Sequence, residues 1–118
     1  MTAAAGHSEE QLRWERFTLS EQLANVGSEV ERTLRAYRAA QHTRFDNALA
    51  RALTLFDLTA ADSRWRGPQR REVLRAREEF CRLFFDPEVS PDSAAGLSRY
   101  FLAFAVNAQR QRTLRVVG

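Results

Sequence analysis

The arginine-rich stretch between residues 64 and 82 is the part of the sequence whose residue types and spacing best suit ligand binding. It holds seven arginines and three glutamates, and Trp65 stands between two of the arginines. A guanidinium makes paired hydrogen bonds to a phosphate, and an aromatic ring beside it can stack on an unpaired base. The run therefore predicts a nucleic-acid-binding surface on which Trp65 stacks a base. The predicted phosphate contacts are Arg64, Arg66, Arg71, Arg75 and Arg82.

The same arginines have a second interpretation, as an ordinary solvated helix face. The sequence contains no lysine, so all 18 basic residues are arginine, as is typical of a GC-rich genome. Local ion pairs of Arg75 with Glu72 or Glu79 would neutralise part of the run. Residues 1–63 hold seven arginines and nine acidic residues, and residues 64–118 hold eleven and six. Because the net charge of +3 is concentrated in the second half, we expect an acidic partner.

The remaining reactive side chains form no catalytic or metal-binding motif. No spacing of His, Cys, Asp and Glu matches a metal site, and Cys81 lies in an apolar run that predicts a buried thiol. Arg38 and His42 resemble the Arg-x4–6-His motif of helical ribonucleases of the higher-eukaryote and prokaryote nucleotide-binding class, although only three residues intervene. His7 stands far from both in the sequence. We expect a protein that is not an enzyme and needs no cofactor or metal.

The elements that must position these residues begin with a helix over residues 17–40. Thr18 and Glu21 form a T-x-x-E capping box, which satisfies two otherwise unpaired N–H groups at the helix start. The inward positions alternate by four and three and so form one narrow seam. They are Leu19, Leu23, Val26, Val30, Thr33 and Tyr37. Gly27 lies beside the seam and costs about 1 kcal/mol relative to Ala in mid-helix, so we expect it to permit close approach of a neighbouring helix.

A short connection over residues 41–43 leads into a second helix that runs to about residue 61. Thr43 and Asp46 are the predicted cap of this helix. Leu55 and Leu58 fall outside its main apolar face. Because a helix at the edge of a bundle needs only one apolar stripe, this helix should be covered on two sides.

Pro68 is typical of the first turn of a third helix, which should run to residue 85. Arg77 falls in its inner stripe, where a guanidinium needs a carboxylate partner, and Asp57 is the candidate. A fourth helix, over residues 93–112, is apolar almost all round and indicates an interface with another subunit or another protein. The predicted oligomer interface consists of Leu55, Leu58, Leu102 and Val106.

Together these elements predict an all-α fold, an up-down-up-down four-helix bundle over residues 12–112 that forms oligomers. Residues 1–11 are predicted to be a disordered N-terminal tail and residues 113–118 a C-terminal tail. The N-terminus lacks the basic and apolar regions of a signal peptide, and no apolar run approaches the length of a membrane span. A single cysteine allows no intrachain disulfide, so the sequence favours a reducing, cytoplasmic setting.

The first half of the chain resembles a bacterial family of small four-helix bundles. The resemblance lies in residues 16–19 (Arg-Phe-Thr-Leu), in Gln22 and Leu23, in the acidic continuation at Glu29, and in a second helix over residues 46–62. The family comprises the accessory variability proteins of diversity-generating retroelements and their relatives encoded in intervening sequences of large-subunit ribosomal RNA genes. The resemblance implies a homo-oligomeric, pentameric ring with a basic surface that engages a reverse transcriptase and nucleic acid.

Three functional hypotheses follow from these observations. The first is a non-enzymatic, oligomeric accessory protein that binds RNA, DNA or a nucleic-acid enzyme such as a reverse transcriptase. The second is an adaptor or antitoxin-like module that binds only protein, through its apolar fourth helix. The third is a helical ribonuclease that uses His42, for which the sequence offers the least support.

Overall fold

The computed structural model describes residues 8–90 and 92–117, and its regular structure within them is entirely helical. The five helices are α1 (Glu9–Trp14), α2 (Leu19–Arg38), α3 (His42–Ala60), α4 (Pro68–Phe85) and α5 (Ser93–Val117). The predicted all-α class is therefore confirmed. His7 and the rest of the predicted tail over residues 1–7, together with residue 118, lie outside the described residues.

The short helix α1 was not expected, because residues 9–11 fall within the predicted disordered tail. Its start is capped by Ser8, whose Oγ accepts the backbone N–H of Gln11 at 3.1 Å. The buried Gln11 Nε2 donates to the carbonyl of Leu58 at 3.0 Å. Trp14 is also buried, and its Nε1 donates to Thr59 Oγ1 at 3.0 Å. These two hydrogen bonds hold α1 against the end of α3.

Helix α2 begins with the predicted capping box. Thr18 Oγ1 accepts the N–H of Glu21 at 3.1 Å, and Glu21 Oε1 accepts the N–H of Thr18 at 2.9 Å. From this start α2 packs along both α3 and α5, while α4 packs against the same two helices. The contacts of α2 with α3 and α5 are more extensive than those of α4, so α2 is the main packing partner of both helices, as the seam in its sequence predicts.

Helices α2 and α5 approach each other closely at Gly27. A Cβ atom built on Gly27 would lie 2.6 Å from Cβ and 3.1 Å from Cγ of Phe101. Neither distance leaves room for a methyl group, so only glycine fits with the two backbones in this position. The predicted packing role of Gly27 is confirmed.

The core lies between α2, α3, α4 and α5 and is centred on three phenylalanine rings. The ring of Phe56 lies 5.7 Å from that of Phe80 and 5.9 Å from that of Phe101, measured between centroids. All three side chains are buried, and such tilted or edge-on aromatic pairs are favourable beyond the area they bury. One apolar cluster thus joins three helices, with α2 supplying Leu23, Val26 and Val30 on the fourth side.

The helix starts follow the sequence prediction at α4 but not at α3. Pro68 occupies the first turn of α4, preceded by Gly67 at a φ of 51°, a backbone conformation that favours glycine. Helix α3 begins at His42 and has no side-chain cap at its start. The predicted cap at Thr43 and Asp46 is wrong, because the helix begins before both residues.

Helix α5 continues to Val117, beyond the predicted end near residue 112. Contacts with the start of α2 account for the extra length. Asn107 Nδ2 donates to Ser20 Oγ at 2.6 Å, and Arg112 and Arg115 lie 3.8 and 3.7 Å from Glu21 Oε2. The backbone N–H of Thr18 and these two arginines lower the pKa of Glu21 despite its partial burial. Most of the predicted C-terminal tail is therefore helical.

Candidate nucleic-acid interface

Trp65 is a core residue and not a surface platform. Its side chain is only 7% exposed, and its Nε1 donates to the buried Gln22 Oε1 at 3.0 Å. A ring enclosed in this way offers no face on which a base could stack. The predicted stacking role of Trp65 is thus corrected, and the tryptophan instead anchors the α3–α4 connection to α2.

Arg64 also has a structural role next to Trp65. Its guanidinium donates to Asp62 Oδ2 at 2.7 Å, to the carbonyl of Glu15 at 3.0 Å and to the carbonyl of Phe17 at 2.8 Å. Burial opposes ionisation of Asp62, but hydrogen bonds from Arg64 and Gln22 outweigh it and keep the pKa of Asp62 below its usual value. The two carbonyls, together with Asp62, already engage Nε and Nη2 of Arg64.

The other four predicted arginines are exposed, but two of them are already engaged. Arg82 pairs with Glu79 at 3.5 Å and with Asp86 at 3.1 Å, while Arg66 Nε donates to the carbonyl of Ser63. Arg71 and Arg75 have no carboxylate within 4.0 Å among the described residues. Two unpaired arginines interleaved with glutamates are as typical of a solvated helix face as of a nucleic-acid-binding surface. This face alone therefore does not define a site.

The predicted partner of Arg77 is confirmed. Its Nε donates to Asp57 Oδ1 at 3.0 Å, which joins α4 to α3 across the edge of the core. This pair engages one further guanidinium of the 64–82 run within the chain.

A different set of arginines lines a groove formed by α1, α2 and α3, and we call it the arginine groove. It consists of two cavities of about 760 and 440 Å³ that share Glu29 and Arg32. Both volumes fall in the range of ligand sites in proteins. The arginines that line the two cavities are Arg13, Arg16, Arg32, Arg35, Arg44 and Arg51. The acidic residues among the lining are Glu10 and Glu29, so four positive charges remain in excess.

Helical spacing brings these arginines to one groove. On α2 the lining positions include Ser28, Arg32 and Arg35, and on α3 they include Arg44 and Arg51. Residues three, four or seven apart lie on one side of a helix. The α2 lining runs from Asn25 to Ala36, which rises about 16 Å at 1.5 Å per residue. This length matches a nucleic-acid strand of roughly three to five nucleotides, depending on how far the strand is extended.

Half of the groove arginines are paired within the chain. Arg13 lies 3.3 Å from Glu9, Arg51 lies 3.3 Å from Glu10, and Arg32 lies 2.7 Å from Glu29. The pairs of Arg13 and Arg51 are solvent-exposed and contribute only about 0–1 kcal/mol each, so a phosphate can replace those two carboxylates at little cost. The Glu29 side chain is only 14% exposed, so Arg32 is held by a largely buried carboxylate.

The other half of the groove arginines are Arg16, Arg35 and Arg44. In the part of the chain that the structure describes, these three have no carboxylate within 4.0 Å. Their guanidinium groups are exposed and line the groove from end to end. They are the residues best placed to contact phosphates directly.

The groove is basic although residues 1–63 carry more acidic than basic residues. The fold directs most of these carboxylates elsewhere: Glu21 faces the end of α5, Asp57 pairs with Arg77, and Asp62 is buried with Arg64. A count of charged residues along the sequence therefore does not reveal this basic groove. The signal that could have found it is the helical spacing of Arg32, Arg35, Arg44 and Arg51 on two helices joined by a short turn.

The predicted oligomer interface divides into a buried and an exposed part. Leu55 is 3% exposed and belongs to the core of its own chain, and Leu58 is half-buried against that core. The placement of Leu55 at a subunit interface is corrected, because its side chain is buried in the core of its own chain, while the placement of Leu58 stays a prediction. Leu102 and Val106 remain 61% and 44% exposed on α5.

His42 is the exposed first residue of α3 and is absent from the lining of the arginine groove. Cys81 is half-buried, in partial agreement with the expected buried thiol. Within residues 8–90 and 92–117, no three His, Cys, Asp or Glu side chains converge as metal ligands. None of the helices in that range combines the length and apolar character needed to cross a membrane.

Comparisons of the chain with protein-family models, with curated proteins and with solved structures found no match.

Proposed function

We propose that this chain is a non-enzymatic accessory protein that binds nucleic acid along the arginine groove. The observation that supports this proposal is the separation of charge by the fold, which lines two adjoining cavities with six arginines and two glutamates. A groove with excess positive charge attracts a phosphate backbone through release of bound counterions. Three of its guanidinium groups have no carboxylate partner in the described part of the chain, so they are free to make paired contacts to phosphates.

The architecture we propose is an up-down-up-down four-helix bundle of α2, α3, α4 and α5, with α1 as a clamp across one end. Short connections and the packing of α2 and α4 against the same two neighbours favour this topology. Exposure of Leu102 and Val106 favours self-association through α5. The family resemblance adds a pentameric ring and a reverse transcriptase as protein partner to this proposal, and the single cysteine adds a cytoplasmic setting.

Fluorescence anisotropy with a labelled oligonucleotide of about twenty nucleotides tests the proposal. If three to six phosphates are neutralised, the logarithm of the association constant should fall with log salt at a slope between about −2 and −4. Replacing Arg35 and Arg44 with Ala should make this slope shallower by about 1.4, because two phosphate contacts are lost. A slope near zero for the wild type, or no binding at low salt, would refute nucleic-acid binding.

The matched control replaces Arg71 and Arg75 with Ala on α4. This variant has the same charge change and also removes two exposed, unpaired arginines, but they lie outside the groove. It should bind nearly as tightly as the wild type if the groove is the site. An equal loss in both variants would show that binding depends on net charge alone and not on the groove.

The exposed apolar positions on α5 also favour the second hypothesis, a protein-interaction adaptor. Leu102→Asp combined with Val106→Asp should lower the assembled mass in sedimentation velocity, because two charges would be buried at the contact. If the wild type is a monomer and the variant sediments identically, self-association through α5 is refuted. If a nucleic acid binds equally well to the dissociated variant, the groove functions within one subunit.

A further inference from the structure

Phe17 is the aromatic residue that lines the arginine groove with part of its ring exposed. Its side chain is 39% exposed, in contrast to the 7% of Trp14, which lines the same cavity. Arg16 immediately precedes it and Arg13 lines the same cavity. An exposed aromatic residue in a cavity that arginines also line is the arrangement that sequence-tolerant single-strand binding proteins use to hold a base.

The turn between α1 and α2 holds Phe17 in a fixed place. Its ring packs edge-on against Trp14, with 5.4 Å between centroids and 66° between planes. Its N–H donates to the carbonyl of Trp14 at 3.2 Å, and its own carbonyl accepts from Arg64 at 2.8 Å. The next residue, Thr18, is the N-cap of α2. The backbone of Phe17 is held by hydrogen bonds and its ring by Trp14. The ring therefore loses little further freedom when a base stacks on it.

We propose that Phe17 stacks on an unpaired base and that the arginine groove therefore takes single-stranded nucleic acid in preference to duplex. A base in a duplex is already stacked between its neighbours, and its extrusion costs free energy that a single strand does not require. The phosphates that flank the stacked base lie within reach of Arg16 at one end of the groove, and the strand continues toward Arg35 and Arg44. This inference rests on the proposed nucleic-acid function and adds the class of ligand.

The test compares Phe17→Leu and Phe17→Tyr by anisotropy. The probes are a labelled oligothymidylate of about twelve nucleotides and a labelled duplex of equal length. Leu keeps most of the apolar volume but has no aromatic face, so it should weaken binding to the single strand about tenfold, within the range of about 5- to 150-fold measured for loss of one stacked base. Tyr keeps the face and should stay within about threefold of the wild type. Neither variant should change duplex binding by more than about twofold.

Phe85→Leu is the matched control, because Phe85 is a 67% exposed aromatic residue at the end of α4 and outside the groove. It should bind both probes as the wild type does. A wild type that prefers the single strand, with loss only in Phe17→Leu, supports the inference. Equal affinity of Phe17→Leu and wild type for the single strand overturns the stacking role, even if the Arg35 and Arg44 variant confirms the groove. Failure of the wild type to bind either probe overturns the proposed function itself.

Discussion

The contact of Gly27 with Phe101 decides whether the substitution Gly27→Ala raises or lowers the free energy of unfolding. In the middle of an exposed helix, Gly→Ala stabilises a protein by about 1 kcal/mol, because alanine restricts the unfolded chain and favours the helix. At Gly27 the added methyl would lie 2.6 Å from Cβ of Phe101. That is about 1 Å closer than two carbon atoms approach without repulsion, so α2 and α5 would have to move apart.

Overpacking of this kind costs about 1–3 kcal/mol, and separation of two helices at the centre of the core should reach the upper part of that range. After subtraction of the propensity gain, Gly27→Ala should lower the free energy of unfolding by about 1–2 kcal/mol. Urea unfolding followed by far-UV circular dichroism measures this difference. The thermal midpoint should fall by roughly 3–10 °C for a chain of this size.

Gly96→Ala is the built-in control for this measurement. Gly96 lies in α5, and the nearest atom to an added methyl is the terminal Nη2 of Arg99 at 3.9 Å. With open space around it, the same substitution should raise the free energy of unfolding by about 0.5–1 kcal/mol. If Gly27→Ala stabilises the protein as Gly96→Ala does, the close contact of α2 and α5 is refuted.

Three further predictions concern the polar end of the fold and its edge. Because the pKa of Asp62 is lowered in the folded protein, its carboxylate stabilises the fold above about pH 4, and this stability is lost as the pH falls through the folded pKa. Asp62→Asn should therefore be less stable at pH 7 in urea unfolding, and its stability should depend less on pH between about 5 and 2. Trp65→Ala should cost about 3–5 kcal/mol by urea unfolding, because it removes a buried ring and leaves the amide oxygen of Gln22 without its donor; a loss below about 1 kcal/mol would contradict the buried position. Asp57→Ala and Arg77→Ala should each change stability by less than about 1 kcal/mol in thermal melts, since their ion pair is partly exposed.

Local sequence signals correctly predicted those features of the fold that depend on one or two residues, such as a helix cap or the start of a helix. The capping box of Thr18 and Glu21 and the proline at the start of α4 depend on backbone groups within one turn, so their effect is visible in the sequence. Gly27 in mid-helix indicated close packing because an unfavourable residue needs a compensating contact. The partner of Arg77 could also be predicted, because a charge on an inner stripe requires a nearby carboxylate.

The candidate site was harder to predict, because it depends on which side chains face one another across helices. Trp65 lies among arginines in the sequence but points into the core, where Gln22 supplies an acceptor from a residue 43 positions away. Phe17 has no unusual neighbours apart from Arg16, and its exposure follows from the turn that α1 imposes. That turn depends on buried hydrogen bonds of Gln11 and Trp14 to α3, which the pattern of apolar residues does not reveal.

The guanidinium of Arg64, which holds the carbonyls of Glu15 and Phe17, has a consequence for mutational mapping of this protein. If Phe17 stacks on a base as proposed, truncation of Arg64 would release the peptide groups that fix Phe17 and would lower affinity for a strand without loss of a direct contact. A scan scored by affinity alone would then misassign Arg64 as a contact residue. Measuring the salt slope separates the two roles, because a positioning residue changes the intercept and leaves the number of displaced ions unchanged.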